Sequence, residues 1–270
     1  MAGDSDRWRV GPGTEVRLDK IDTRSTEGAP GGKKDTDAAS KDLYDRLASL
    51  QERLYAEGER SLLVVLQALD AGGKDGTIKH VFRGLNPAGS RVVSFKVPSA
   101  EEASHDFLWR VHAKVPGKGD VVVFNRSHYE DVLIVRVHGL VAEEVWRPRY
   151  DFINDFEANL AAAGTRIVKL FLHISKEEQA ERFQARLDDP SKHWKFRKGD
   201  LAERARWDDY SGAFEEALTR TSTGHAPWYV VPADRKWYRN WAVARILVET
   251  LEDMGPQYPP GEDLTGVSVA

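Results

Sequence analysis

The 270 residues contain no cysteine. No disulfide can brace the fold and no thiolate can act as nucleophile or metal ligand, which suits a reducing cytoplasm. No apolar run approaches the ~20 residues needed to cross a bilayer, and the N-terminus has no apolar signal core, so neither membrane insertion nor export is expected. A surplus of positive charge is also missing: 39 Lys and Arg against 43 Asp and Glu leave a formal charge of −4. A protein that binds nucleic acid along a face is usually basic. Any polyanion site here must therefore be local, and no nucleic-acid motif is present. Internal repeats are absent. The chain is 41% hydrophobic, enough for one sizeable core.

That core is organised around residues 61–83. Residues 62–66 form a short apolar run with two β-branched residues at its centre, the pattern of a buried strand. Asp70 ends the run. Gly72, Gly73 and Gly76 then surround Lys74, and Ile78, Val81, Phe82 and Leu85 recur at helical spacing. Strand, glycine turn, lysine and helix together can hold phosphate. The glycines let backbone N–H groups close on an anion, the helix start adds partial positive charge, and the lysine adds a full one. The match to the phosphate-loop pattern GxxxxGK[ST] is partial. Gly73-Lys74 fits, Ala68 replaces the first glycine, Asp75 replaces Ser or Thr, and Thr77 follows later.

Further strands are expected at 91–97, 120–125, 166–174 and 228–231, and helices at 37–57, 101–114, 144–163, 176–187 and 237–251. This alternation predicts an α/β fold, a parallel five-stranded sheet with helices on both faces. Residues 1–36, rich in Gly, Pro and charge, read as a mobile or draped arm, with Val16, Leu18 and Ile21 as sticking points. Residues 255–270, with Pro256, Pro259 and Pro260, read as a loose tail.

Two more segments carry chemistry. Ligands of a parallel sheet sit at the carboxyl ends of its strands. Asn125-Arg126-Ser127-His128-Tyr129-Glu130-Asp131 follows the third strand and should lie beside the glycine turn. Phosphate-loop enzymes usually place a metal-holding acid here; this chain has Asn125. Arg126 is the only cation at the strand tip, and its planar fork suits a transferring phosphoryl group. His128 stands alone and is read as structural. From 182 to 206, Arg182, Arg186, Lys192, Lys195, Arg197, Lys198, Arg204 and Arg206 outnumber four acids. Pro190 and Gly199 bracket a non-helical piece, so the stretch reads as a cationic flap between two helices, packed down by Trp194 and Trp207. Thr221, Ser222 and Asp234 are further candidates to reach a nucleotide.

In order and separation, four segments resemble the polyphosphate kinase type 2 family over about residues 37–252. They are Leu69-Asp-Ala-Gly-Gly-Lys-Asp-Gly-Thr-Ile-Lys-His, Val123-Phe-Asn-Arg-Ser-His-Tyr-Glu-Asp, 188–194 leading to 200–210, and 221–238. The resemblance implies a thymidylate-kinase-like phosphate-loop kinase domain at 37–254 with a helical lid at about 182–207. It implies transfer of the terminal phosphoryl group of inorganic polyphosphate to a nucleotide, or the reverse, with Mg²⁺ or Mn²⁺. Asp70 then takes the place of the metal-binding acid, Lys74 of the phosphate-binding lysine, and Arg126 and Arg186 of the catalytic arginines. Gly72, Gly73, Asp75, Gly76, Thr77, Lys79, Arg83 and Lys195 join Lys74 around phosphate. Asn125, Arg126, Ser127, Glu130 and Asp131 face the nucleotide. Many members have Asp where this chain has Asn125, and the Asn resembles the subgroup acting on both AMP and ADP. It leaves Asp70 to work with water, donor phosphates, Glu130 or Asp131. Adenine nucleotides are the expected acceptors, with guanine as an alternative, and a homo-oligomer (dimer or tetramer) is expected. An ATP-dependent nucleoside monophosphate kinase and a non-catalytic nucleotide or polyphosphate sensor are the rival readings. Phosphoryl transfer to an anionic phosphate needs positioning and charge neutralisation more than a strong base, so the lack of an evident base fits.

The like charges of the lid, at about 188–200, should repel one another until a polyanion arrives. Amide exchange there should slow when polyphosphate is added; equal protection with and without it would contradict the assignment.

Overall fold

The computed structural model describes residues 3–265 and 267–269; Met1 and Ala2 of the expected arm and Gly266 and Ala270 of the expected tail lie outside the described residues. Five strands, β1 (Ser61–Gln67), β2 (Ser90–Ser94), β3 (Val121–Asn125), β4 (Thr165–His173) and β5 (Trp228–Pro232), pair in parallel in the order β2-β3-β1-β4-β5. The central strand is β1, with Val64 opposite Val123 on one side and Val168 on the other.

Every residue of β1 is buried because both faces of the sheet are covered, which is why the strand is a continuous apolar run rather than an alternating one. Leu62, Val64 and Leu66 pack with Leu47, Leu50 and Leu54 of the helix Lys33–Glu57 and with the helix Lys236–Met254. Leu63 and Val65 face the opposite layer, built from the helices Arg149–Ala162 and Trp207–Thr221.

Several boundaries differ from the sequence reading. The strand expected at 91–97 stops at Ser94; Phe95 turns into the core and Val97 is 91% exposed. The helix expected at 101–114 is two short turns, Ala100–Ala103 and Trp109–His112, the first closed by a capping box between Ser99 and Glu102. The helix expected at 144–163 breaks into Glu143–Trp146 and Arg149–Ala162, with Pro148 at the cap of the second. Proline has no N–H to give a continuing helix.

The N-terminal segment is draped over the edge of β5. Trp8 packs edge-on against Tyr238 and Trp241. Arg9 bridges Tyr229 in antiparallel sense, and the Val10 N–H donates to the Trp228 carbonyl at 2.8 Å. Val16 and Leu18 are buried, their N–H groups donating to Thr219 and Glu215. The segment covers an edge strand that would otherwise offer unpaired backbone groups.

The basic stretch runs from the helix Lys176–Leu187 through a 3₁₀ turn, Pro190–Lys195, to the helices Gly199–Ala205 and Trp207–Thr221. Trp207 packs on the core, as expected. Trp194 does not: it is 77% exposed, with the Lys195 ammonium 4.9 Å from its ring centre. Phe196 anchors the turn instead, edge-on to Phe183 at 5.7 Å. Phe196→Ala should therefore speed amide exchange over Pro190–Lys195, while Trp194→Ala should change stability by less than about 0.5 kcal/mol. The reverse ranking would mean that the turn is held in some other way.

Candidate active site

The carboxyl ends of β1 and β3 are neighbours, with Leu66 paired to Asn125. Beyond β1 the backbone turns through two left-handed residues, Ala71 at φ +60° and Gly73 at φ +100°, and Gly73 caps the helix Lys74–Val81. Gly73 is needed twice over. Its φ suits glycine, and a Cβ there would collide with the guanidinium of Arg239. Lys74 folds back so that its ammonium donates to the Ala68 carbonyl at 2.8 Å. The Thr77 hydroxyl is buried and donates to the Gly73 carbonyl. The Asn125 amide donates to Asp75 at 2.9 Å and ties the end of β3 to the first turn of the helix Lys74–Val81.

Two buried arginines back the turn. Arg182 pairs with Glu178 at 2.7 Å and donates to the carbonyls of Ala71 and Ala233. Arg239 is 2% exposed. Its guanidinium donates to the side-chain oxygen of Asn240 at 2.8 Å, and among the described residues no carboxylate pairs with it. Burial, with Arg182 beside it, lowers its pKa to about 9. Gln179 donates to the Asp70 carbonyl at 2.8 Å.

Beyond β3, Arg126 sits at φ +61°, with its N–H donating to the Leu66 carbonyl. Its guanidinium lies between Asp70, at 3.1 Å, and Glu130, at 3.5 Å. Burial alone would lower its pKa, but the Glu130 and Asp70 carboxylates outweigh that and raise it. Lys74 shifts the other way, lowered by burial and by the nearby Arg126.

Asp70, Lys74, Asp75, Asn125, Arg126 and Glu130 thus converge. Ser127 and Asp131, expected to face a nucleotide, do not join them. Ser127 is fully buried, its hydroxyl accepting from the Gln67 side chain and the Tyr129 N–H. Asp131 is turned to Arg149 at 3.1 Å. The further candidates are likewise committed to the fold. Thr221 accepts from the Trp228 indole, Ser222 donates to the Val10 carbonyl, and Asp234 accepts from Ser175 and Thr23. Lys79 and Arg83 are exposed on or just past the helix Lys74–Val81, with Arg83 over the Tyr44 ring. On the basic segment, Lys195 is exposed, while Arg186 donates to its carbonyl and lies over Phe183. His128 is buried against Glu157, as its lone position suggests.

A cleft opens beside Asp70, Arg126 and Glu130. Leu133, Ile134, Trp207 and Phe214 make its apolar wall, and Gln179, Glu203, Arg204 and Tyr210 its polar one. Tyr210 donates to Glu203 at 2.7 Å, and His138 lies 2.9 Å from the same carboxylate. Glu203 counted in the sequence only as an acid of the flap, and Tyr210 and Arg239 gave no separate signal.

A family model described as Polyphosphate kinase 2 matches residues 31–259. The chain belongs to the Polyphosphate kinase 2 family. It is 56% identical to the AMP/ADP-polyphosphate phosphotransferase of Meiothermus ruber over 95% of this chain and 96% of that one. It is 46% identical to the ADP-polyphosphate phosphotransferase of Rhodopseudomonas palustris, over 94% and 91% of the two chains. Among solved structures, Polyphosphate Kinase 2 from Arthrobacter aurescens TC1 superposes with a TM-score of 0.93 at 48% identity, covering 97% of this chain and 93% of that one. In this family setting the parallel sheet and glycine turn are the phosphate-loop kinase fold expected from the sequence.

The donor set limits how a metal ion can bind. Among the described residues, no three His, Cys, Asp or Glu side chains come together. Asp70 and Glu130 are both accessible in the cleft and share one arginine. That suits Mg²⁺ held by one or two carboxylates together with substrate phosphates, rather than in an all-protein cage.

The lowered Lys74 pKa gives phosphate binding a sign with pH. The ammonium should deprotonate below the 10.5 of an ordinary lysine. Tripolyphosphate binding, measured by calorimetry, should weaken as pH rises through that lowered pKa. The Arg239→Met variant should keep this limb, and Lys74→Ala should keep only the part set by Arg239, whose pKa is lowered to about 9. A wild-type profile flat up to pH 10.5 would contradict the placement of Lys74.

Proposed function

We propose that this protein moves the terminal phosphoryl group of inorganic polyphosphate onto AMP and ADP, giving ADP and ATP, reversibly. The observation that carries the reading is the convergence of Lys74, Arg126 and Asp70 at the ends of two adjacent strands, two cations and one carboxylate around one space. A terminal phosphate oxygen of the acceptor attacks the end phosphorus of the chain. The bond from that phosphorus to the bridging oxygen breaks, and the chain leaves one phosphate shorter. Lys74 and the N–H groups of the turn hold donor phosphates. Arg126 neutralises the transferring group, and its planar fork suits three equatorial oxygens. Asp70, with Glu130, would hold Mg²⁺ or Mn²⁺, which supplies charge neutralisation between phosphates when bound.

The apolar wall of Trp207, Phe214, Leu133 and Ile134 suits a nucleoside. The relative of highest identity quoted above carries both AMP and ADP in its name. Adenine is therefore the base we infer, with guanine as the alternative. Lys79, Arg83 and Lys195, all exposed cations, suit the rest of a long polyanion. Arg186 joins the site when the lid, at about 182–207 of a kinase unit spanning 37–254, closes. Among the described residues no helix is long and apolar enough to cross a membrane. A cytoplasmic homo-oligomer, dimer or tetramer, completes the proposal.

Incubating the protein with Mg²⁺ and AMP, ADP or GMP, with polyphosphate or ATP as donor, and resolving the products tests the reading. Nucleotide phosphorylation with ATP alone as donor would overturn it in favour of a nucleoside monophosphate kinase.

Asp70 and Asn125 should differ sharply. Asp70→Asn keeps the size and removes the charge, so metal-dependent transfer should fall by orders of magnitude. Asn125→Ala loses a hydrogen bond worth about 1 kcal/mol, a several-fold effect. Initial rates against Mg²⁺ concentration compare the two; a milder Asp70→Asn would move the metal elsewhere.

A further inference from the structure

The loop that carries Arg126 is anchored by a buried polar cluster that no phosphate reaches. We propose that Tyr129, Glu157 and Lys169 are positioning residues that fix Arg126 for phosphoryl transfer, an inference that rests on the role of Arg126 given above. Arg126 holds a left-handed backbone at φ +61° without being glycine. Such a conformation persists only where its surroundings over-determine it. The three residues after it are held on all sides. The Ser127 hydroxyl accepts from Gln67 and from the Tyr129 N–H. A His128 ring nitrogen lies 3.3 Å from Glu157, and the Tyr129 hydroxyl lies 2.9 Å from the same oxygen.

Behind them stands Lys169, on β4, wholly buried. Its ammonium donates to Glu157 at 2.5 Å, to the Tyr129 hydroxyl at 2.9 Å and to the Thr221 carbonyl at 2.6 Å, which uses all three of its protons. Burial and the adjacent Glu157 keep the Tyr129 hydroxyl protonated by raising its pKa.

The core does not need this charge. Ile167 and Phe171, two residues away on either side, face the same apolar layer. A buried ion pair often adds no more stability than apolar residues of equal volume. What the pair adds is direction. It fixes the loop of residues 127–129 to β4 and to the helix Arg149–Ala162. Through Thr221 it also reaches the end of the helix whose first turn places Trp207 and Tyr210 on the cleft. One network therefore sets Arg126 against the opposite wall of the site.

The test compares Tyr129→Phe, Glu157→Gln, the apolar pair Glu157→Leu with Lys169→Met, and Arg126→Ala, in polyphosphate-dependent ATP formation from ADP with Mg²⁺ and in thermal unfolding. Tyr129→Phe and the apolar pair should stay folded and lose about tenfold in kcat, with KM for ADP changed less than about twofold. Tyr129→Phe in the Arg126→Ala background should add no further loss, because both changes remove the same contribution. Folded Tyr129→Phe and Glu157→Gln enzymes with wild-type kcat would overturn the inference, as would losses that simply add to that of Arg126→Ala. Wild-type kcat in Arg126→Ala alone would instead overturn the reading of the site.

Discussion

Positive charge held close to a glycine turn is the constraint around which the fold is arranged. Lys74, Arg182 and Arg239 approach Ala68, Ala71 and Gly73 of that turn, and Arg239 lies buried with no carboxylate on it among the described residues. An uncompensated buried cation is costly in water-free surroundings, and its lowered pKa records that cost. An anion bound on the open side of the turn would relieve it. Gly73 follows from the same constraint, since only a residue without a side chain leaves room for the guanidinium. So does the apolar β1, which delivers the turn to the end of a sheet that excludes water on both faces.

Two ion pairs in the same region behave differently, and burial explains why. Asp70 and Arg126 lie 3.1 Å apart with each side chain roughly a third exposed. Pairs this open contribute about 1 kcal/mol or less, so incoming phosphate and metal can separate them cheaply. Glu157 and Lys169 are fully buried and hydrogen-bonded throughout. Removing either partner would strand a charge. The first pair is free to open for substrate; the second is fixed, and it holds the loop that carries the first.

Much of the site was legible because it is local. The strand, the glycines, Lys74 and the helix lie within one stretch, and Arg126 directly follows a strand that the sheet places next to β1. What sequence could not show is which side of a turn a residue faces. Ser127 and Asn125 are two positions apart, yet one serves the inside of the loop and the other reaches Asp75. Arg239 and Tyr210 reach the site only through long-range packing, so no spacing reveals them. In the basic segment, Trp194 and Phe196 are both aromatic; only the side chain that meets Phe183 anchors the turn. Helix boundaries failed where one residue overrode a good periodic pattern, as Pro148 does.

In the proposed reaction the glycine turn holds the phosphates being transferred. The rate of polyphosphate-dependent ATP formation by Lys74→Ala, beside a wild-type enzyme of matched thermal stability, tests it most directly. A folded protein that has lost most of its activity is expected, because such charge contacts are worth several kcal/mol at the transition state. A folded Lys74→Ala enzyme with unchanged turnover would contradict it.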